Sequence, residues 1–196
     1  MRTFIAVEPP DKLRKEIGHL SAALGEELLS GMRWVNPNNM HLTLRFLGEI
    51  DPGRLEELEK VVGKAAHAVP HFGLEVDLLG YFGPERSPRV IWLGLKECGD
   101  LGNLAASVEK GLISANFGRA DKPFKAHLTL ARLKGPLSRP PDWGKIRAGL
   151  PSSWPAWPVG EVRIIESTLT PSGPEYKTLA HCPLKPESAV EIGGDG

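Results

Sequence analysis

The chain has 196 residues, 41% of them hydrophobic, with 24 Lys plus Arg against 24 Asp plus Glu and a formal net charge of zero. A chain this long buries about 70% of its unfolded surface and folds without staples. Charge balance argues against a protein that coats long nucleic acid, which carries a basic excess, and no apolar run approaches the roughly 20 residues of a membrane span.

The chain opens MRTFIAVEPPD, which turns polar too early for a signal peptide. Residues 3–7 read as an apolar strand that ends in a turn at Pro9-Pro10. From Asp11 to about Leu29, Leu13, Ile17, Leu20, Leu24 and Leu28 recur at helical spacing, with Asp11 as N-cap and Gly31 beyond the end. MRWV is a strand edge and Asn36-Pro37-Asn38 a turn. A strand begins at Met40. Asp51-Pro52 opens a second helix with Leu55, Leu58, Val61, Val62 and Ala65 on its inner face. FGLEVDLLGYFG and RVIWLGL are two strands around a Gly83–Pro88 turn. A third helix runs from about Asp100 to Phe117. Another strand contains KAHLTLARL. The Pro- and Trp-rich stretch 135–158 reads as an ordered loop with a short helix near Asp142–Leu150. EVRIIESTLT and YKTLAHCPL close the fold, giving one domain over 1–184 and an expected disordered tail over 185–196.

One tetrapeptide occurs twice, as His41-Leu42-Thr43-Leu44 and His127-Leu128-Thr129-Leu130. Side chains alternate faces along a strand. Each copy therefore presents an imidazole and a hydroxyl on one face and two leucines on the other. A single His or Thr on a strand is ordinary. The same four residues in the same strand context half a chain apart indicate a shared site. Helices and strands alternate around each copy, so the chain reads as two similar α+β halves whose motif strands face each other across a cleft.

Two imidazoles near one phosphodiester suit acid–base chemistry at neutral pH. One takes a proton from the attacking oxygen and the other gives one to the leaving oxygen. Thr43 and Thr129 supply hydrogen bonds to non-bridging oxygens. A guanidinium would add a bidentate partner. Arg45 shares the strand parity of His41 and Thr43, whereas Arg132 reaches the site only if its strand ends or bulges near Ala131. Neither motif has the short-spaced extra ligands of a metal site, so no metal and no cofactor are expected.

RWVNPNNMHLTLRFLGE and FKAHLTLAR resemble the two signature segments of the two-histidine phosphoesterase superfamily. RWV, RFLGE and TPSGP favour its RNA 2′,3′-cyclic phosphodiesterase branch, also called 2′-5′ RNA ligase. The resemblance covers nearly the whole chain. It implies two pseudo-symmetric lobes, each an antiparallel sheet with helices outside, enclosing a groove. It implies metal-free opening of an RNA 2′,3′-cyclic phosphate to a 2′-phosphate, with His41 as proton donor and His127 as acceptor. Thr43 and Thr129 match phosphate-binding threonines, and Arg132 a phosphate-contacting arginine, which favours it over Arg45. Phe46 matches an aromatic near the nucleotide, while strand parity with Leu42 and Leu44 equally fits a core residue. Ala126 stands where the family often has proline, with little chemical effect expected.

The expected partners are RNA ends or nucleotides bearing 2′,3′-cyclic phosphate, with no membrane, and the protein is expected to be a cytoplasmic monomer. Competing readings are a phosphoesterase for a small cyclic nucleotide and a non-catalytic module that binds RNA ends. His19, His67, His71 and His181 read as solvated, Trp34 and Trp92 as packing, Lys125 as an exposed lysine, and Cys98 and Cys182 as ordinary thiols.

Overall fold

The computed structural model describes residues 1–27, 31–96, 98–134, 137, 140–171 and 173–186. Its strands are β1 (Arg2–Val7), β2 (Met32–Trp34), β3 (Leu42–Glu49), β4 (Phe72–Leu74), β5 (Val76–Phe82), β6 (Val90–Leu95), β7 (His127–Leu133), β8 (Trp157–Val159), β9 (Glu161–Thr170) and β10 (Gly173–Pro183). Its α-helices are α1 (Asp11–Glu27), α2 (Leu55–His67), α3 (Gly99–Ser114) and α4 (Trp143–Ala148). The protein is α+β, and every pairing between these strands is antiparallel.

Two four-stranded sheets dominate, ordered β10-β9-β1-β3 and β2-β7-β6-β5. We call them sheets A and B. Helices α2 and α3 pack together, α2 also against β9 and β10 and α3 against β3, so they cover sheet A from outside. Helix α1 buries Leu13, Ile17, Leu20 and Leu24, and brings Gly25 against the Trp34 ring of β2. One apolar core runs through both halves and takes in Leu42 and Leu44 as well as Leu128 and Leu130. Burying each such leucine contributes roughly 1.5–3 kcal/mol, so the alternate residues of each motif fix the strand while His and Thr face the other way.

The two motif strands have matching registers. On sheet A, Val7 faces Leu42, Ala6 faces Thr43, Ile5 faces Arg45 and Phe4 faces Phe46. On sheet B, Leu93 faces Leu128, Trp92 faces Thr129, Ile91 faces Ala131 and Val90 faces Arg132. Each motif strand carries an extra residue at the second leucine, Leu44 or Leu130, and β3 carries another at Leu47. A β-bulge of this kind reverses the alternation of side chains beyond it. The sheets differ at the edge: β3 ends its sheet, whereas β7 is covered by β2.

Three details depart from the sequence expectations. The stretch read as loop contains a strand, β8, which pairs with β4 and places the buried Trp157 indole N–H 3.0 Å from the Glu8 carbonyl. Its buried Trp157 and Val159 flank an exposed Pro158, an alternation too short to read. The second helix starts as a 3₁₀ turn, Pro52–Arg54, capped by Asp51 accepting from the Gly53 N–H. The fold also runs past residue 184: the Lys185 N–H donates to Val69 and its carbonyl accepts from His71, so Lys185 belongs to the domain and not to the tail. The tail expected to be disordered falls from 187 onward outside the described residues, as does Leu28 of the first helix. Among the described residues no helix is long and apolar enough to cross a membrane.

Candidate active site

His41 immediately precedes β3 and His127 opens β7. Each ring is held by the chain two residues behind it. His41 Nδ1 lies 2.8 Å from the Asn39 carbonyl oxygen, and His127 Nδ1 lies 2.7 Å from that of Lys125. A carbonyl only accepts, so Nδ1 carries the hydrogen in both rings and Nε2 is left for chemistry.

Aromatic rings fix the imidazole planes. Phe4 and Tyr176 flank His41 at centroid distances of 4.6 and 5.3 Å. They form, with Ala6 and Ile165, a small apolar cluster on the groove face of sheet A. Ala6, opposite Thr43, is small enough for the rings to meet above it. Phe82 stands edge-on to His127 at 5.3 Å and Trp92 at 6.3 Å. Trp92 lies over Gly80, where a Cβ would come within 2.4 Å of the indole. Phe4, Tyr176 and Phe82 carried no signal in the sequence, because their contact with the histidines depends on sheet order. Trp92, read as packing, packs beside the His127 ring.

The motif strands β3 and β7 touch, and His41 lies within electrostatic reach of His127 and Arg132. Burial pushes the His41 pKa below its ordinary value. The Asn39 bond and the Glu8 carboxylate oppose that shift, and the charges of Arg132 and His127 add to it. Thr43 and Thr129 are half-buried on the same faces as their histidines.

The bulges decide the arginines. Beyond Leu130 the alternation reverses, so Arg132 returns to the His127 and Thr129 face and is exposed there. Beyond Leu44 the same reversal turns Arg45 away from the groove. Its buried side chain reaches α3, where Nε lies 2.8 Å from Glu109 Oε2 in a close ionic contact off the hydrogen-bond line. It also donates to the Phe46 and Gly118 carbonyls. Arg45 is therefore tied to α3 and the neighbouring chain, and not aimed into the groove as strand parity suggested. Phe46, by the same reversal, leaves the core and is 46% exposed on the groove side, at the register position that Arg132 holds in the other half.

His19, His67, His71 and His181 are exposed, as expected, and His181 pairs with Glu161 at 3.1 Å. Lys125 is exposed with its ammonium 6.0 Å from the Phe82 ring centroid. Cys98 and Cys182 are free thiols, and burial pushes the Cys182 pKa up to about 11. Among the described residues no cluster of three or more His, Cys, Asp or Glu is arranged to hold a metal ion.

Residues 7–92 match the family model described as LigT-like phosphoesterase. An Archaeoglobus fulgidus protein named RNA 2′,3′-cyclic phosphodiesterase is 37% identical over 91% of this chain and 98% of its own. The chain belongs to the LigT-like phosphoesterase family. A Thermotoga maritima member with the same name is 34% identical over 93% of this chain and 95% of its own. Among solved members, a Thermus thermophilus protein superposes with a TM-score of 0.79 at 29% identity, covering 96% of this chain and all of that one. Escherichia coli LigT in complex with 3′-AMP superposes with a TM-score of 0.75 at 27% identity, covering 93% of this chain and 97% of that one.

Proposed function

We propose that this chain hydrolyses RNA 2′,3′-cyclic phosphate ends to 2′-phosphates, with His41 as proton donor and His127 as proton acceptor. The observation that carries the reading is the pair of Nδ1 bonds, which presents two Nε2 atoms from matching positions of two matching sheets. Relatives over nine-tenths of the chain bear the name of this activity.

The cyclic phosphate sits between the motif strands. His127 Nε2 removes a proton from water as its oxygen attacks phosphorus. His41 Nε2 gives a proton to the departing 3′ oxygen, which leaves the phosphate on the 2′ oxygen. Each proton transfer contributes roughly 10²–10⁴-fold. The hydroxyls of Thr43 and Thr129 and the guanidinium of Arg132 stabilise the charge that builds on the non-bridging oxygens. Phe46 contacts the terminal nucleoside. In free protein, burial keeps His41 neutral. The anionic phosphate raises its affinity for a proton, so the donor is charged by substrate binding itself. The reverse reaction, 2′-5′ joining, uses the same groups, and excess water favours hydrolysis.

No step in this chemistry calls for a metal or cofactor. One chain supplies both histidines, both threonines and Arg132, so a monomer suffices. The two free thiols suit a reducing cytoplasm.

The test is an RNA oligonucleotide ending in 2′,3′-cyclic phosphate. Wild-type protein yields a 2′-phosphate end, and His41→Ala and His127→Ala each lose most of that turnover. A 3′-phosphate product, or full turnover in either variant, overturns the reading.

A further inference from the structure

Glu8 stands in the row of sheet A that carries His41. Val7 ends β1 opposite Leu42, and Ala6 lies opposite Thr43. One step further along the two antiparallel chains, Glu8 comes opposite His41. Ala6, two residues before Glu8, belongs to the apolar cluster on the groove face, so alternation gives Glu8 that face as well. On the far side of β1, Ala6 faces Arg163 of β9, and the same step brings Glu161 opposite Glu8. His41, Glu8 and Glu161 thus follow one another across three neighbouring chains.

The Glu8 side chain is only 20% exposed and is gripped from two directions. Arg14 Nη2 of α1 and Arg163 Nη1 of β9 both donate to Glu8 Oε2, each at 2.6 Å. Arg14 Nε also donates to the Pro9 carbonyl at 2.9 Å, and the Trp157 indole N–H donates to the carbonyl of Glu8 itself. Arg163 Nε in turn donates to Glu161 at 2.7 Å, and Glu161 pairs with His181. Two charge-assisted bonds on one oxygen fix the Glu8 carboxylate. The His41 ring commits Nδ1 to Asn39 and keeps Nε2 for substrate. Among the described residues, the charges that act on His41 are Glu8 from β1 and Arg132 and His127 from β7, while Tyr176 of β10 packs edge-on. Of these, Glu8 is the one whose charge favours the imidazolium.

We infer that Glu8 is a positioning residue for the proton donor: its carboxylate, clamped by Arg14 and Arg163 beside His41, is the countercharge of the His41 imidazolium. The inference rests on the reading of His41 as donor and names what sustains it. A donor must be charged before the leaving oxygen departs, yet burial, Arg132 and His127 all oppose that charge. A loose carboxylate in this row would draw the Nε2 proton into a hydrogen bond of its own and obstruct the phosphate. The two arginines hold Glu8 back, so it acts through space while the imidazolium keeps its proton for substrate. They also set the size of the effect, because their charges offset part of the carboxylate's.

The experiment follows the His41 imidazole midpoint by NMR, and kcat/KM on adenosine 2′,3′-cyclic phosphate across pH, in wild type, Glu8→Gln, Arg163→Met and Glu161→Gln. Glu8→Gln keeps the shape and still accepts from both arginines. It is expected to move the His41 midpoint to lower pH and to reduce kcat/KM about threefold above neutrality and little in acid. Arg163→Met leaves Glu8 less neutralised and is expected to move the midpoint to higher pH. Glu161→Gln, one chain further from His41, leaves it in place. Opposite shifts from the two partners of one ion pair are what a merely structural tie between α1 and β9 does not produce. Such a tie would lower the melting temperature of both variants and move His41 in neither. A midpoint unmoved in Glu8→Gln, or moved in the same direction by Glu8→Gln and Arg163→Met, overturns the inference. If Glu8→Gln does not fold, the direction of the Arg163→Met shift decides. The midpoints are read without turnover, so wild-type protein that leaves the cyclic phosphate intact overturns the phosphodiesterase reading, while the midpoints still decide whether Glu8 sets the charge of His41.

Discussion

His41 and His127 make the same hydrogen bond, Nδ1 to the carbonyl two residues earlier, at 2.8 and 2.7 Å. Yet their surroundings differ. Asn39 ends a 3₁₀ turn, and His41 meets Phe4 at a tilt and Tyr176 edge-on, whereas His127 meets both Phe82 and Trp92 edge-on. Matching bonds set the same tautomer, and burial pushes the His41 pKa below its ordinary value.

Burial lowers the His41 pKa, and this gives the sign of a pH effect. An unfolded imidazole titrates near about 6.5. Below that value the unfolded chain takes up a proton that the native His41 resists, so stability present above the unfolded pKa is lost as pH falls through the folded one. His41→Gln should flatten this acid limb in thermal unfolding followed from pH 7.5 to 5. Inorganic phosphate in the groove should raise the His41 midpoint, read from its imidazole NMR signals. A midpoint unmoved by phosphate would contradict charging of the donor by substrate.

Arg45 and Arg132 should fail in opposite ways. Arg132→Ala removes a charged partner of the phosphate, worth about 1.5–3 kcal/mol, and should lower kcat/KM by tens-fold with an unchanged melting temperature. Arg45→Ala leaves Glu109 without its cation and two carbonyls without a donor. It should destabilise the fold by about 1–3 kcal/mol and leave catalysis per folded molecule near wild type. Steady-state kinetics beside thermal melts separates the two.

The contrast shows how much of the site was legible in the sequence. The recurrence of His-Leu-Thr-Leu, read with a period of two, places His41, Thr43, His127 and Thr129 on the faces they occupy. The same period fails past the second leucine, because the bulges at Leu44 and Leu130 each insert a residue there. Parity then assigns Arg45 to the groove and Phe46 to the core, the reverse of both. Nothing local marks either bulge. The family resemblance put Arg132 at the site by position and not by periodicity, and the bulge at Leu130 turns it to the His127 face. Phe4, Phe82 and Tyr176 were beyond reach for another reason. Their meeting with the histidines follows from strand order, β9 beside β1 and β5 beside β6, which no local pattern encodes.

In the proposed mechanism the threonines act through their hydroxyls. Thr43→Ala and Thr129→Ala should each lower kcat by roughly tenfold, the loss of one hydrogen bond to a charged group. Serine at either position keeps the oxygen and should recover most of the rate. Unchanged rates in both alanine variants would make the hydroxyls structural.

Activity should persist after chelation. Two imidazoles that already commit Nδ1 to carbonyls, with two hydroxyls between them, fall short of a zinc ligand set. Turnover measured before and after EDTA dialysis should agree. Loss on dialysis with recovery on adding Zn²⁺ or Mn²⁺ would contradict a purely acid–base site.

The division of labour between the histidines is the centre of the account, and leaving-group dependence tests it most directly. In the proposed mechanism, cyclic phosphate opening expels a poor leaving oxygen that takes its proton from His41. A nitrophenyl phosphodiester expels a phenolate that needs little protonation, while its attacking water still needs a base. The measurement is kcat/KM for wild type, His41→Ala and His127→Ala on both substrates. The account predicts that His41→Ala is severely impaired on the cyclic phosphate and partly restored on the nitrophenyl ester, whereas His127→Ala is impaired on both. Equal losses for the two variants on the nitrophenyl ester would contradict the assignment, and restoration of His127→Ala alone would exchange the two roles.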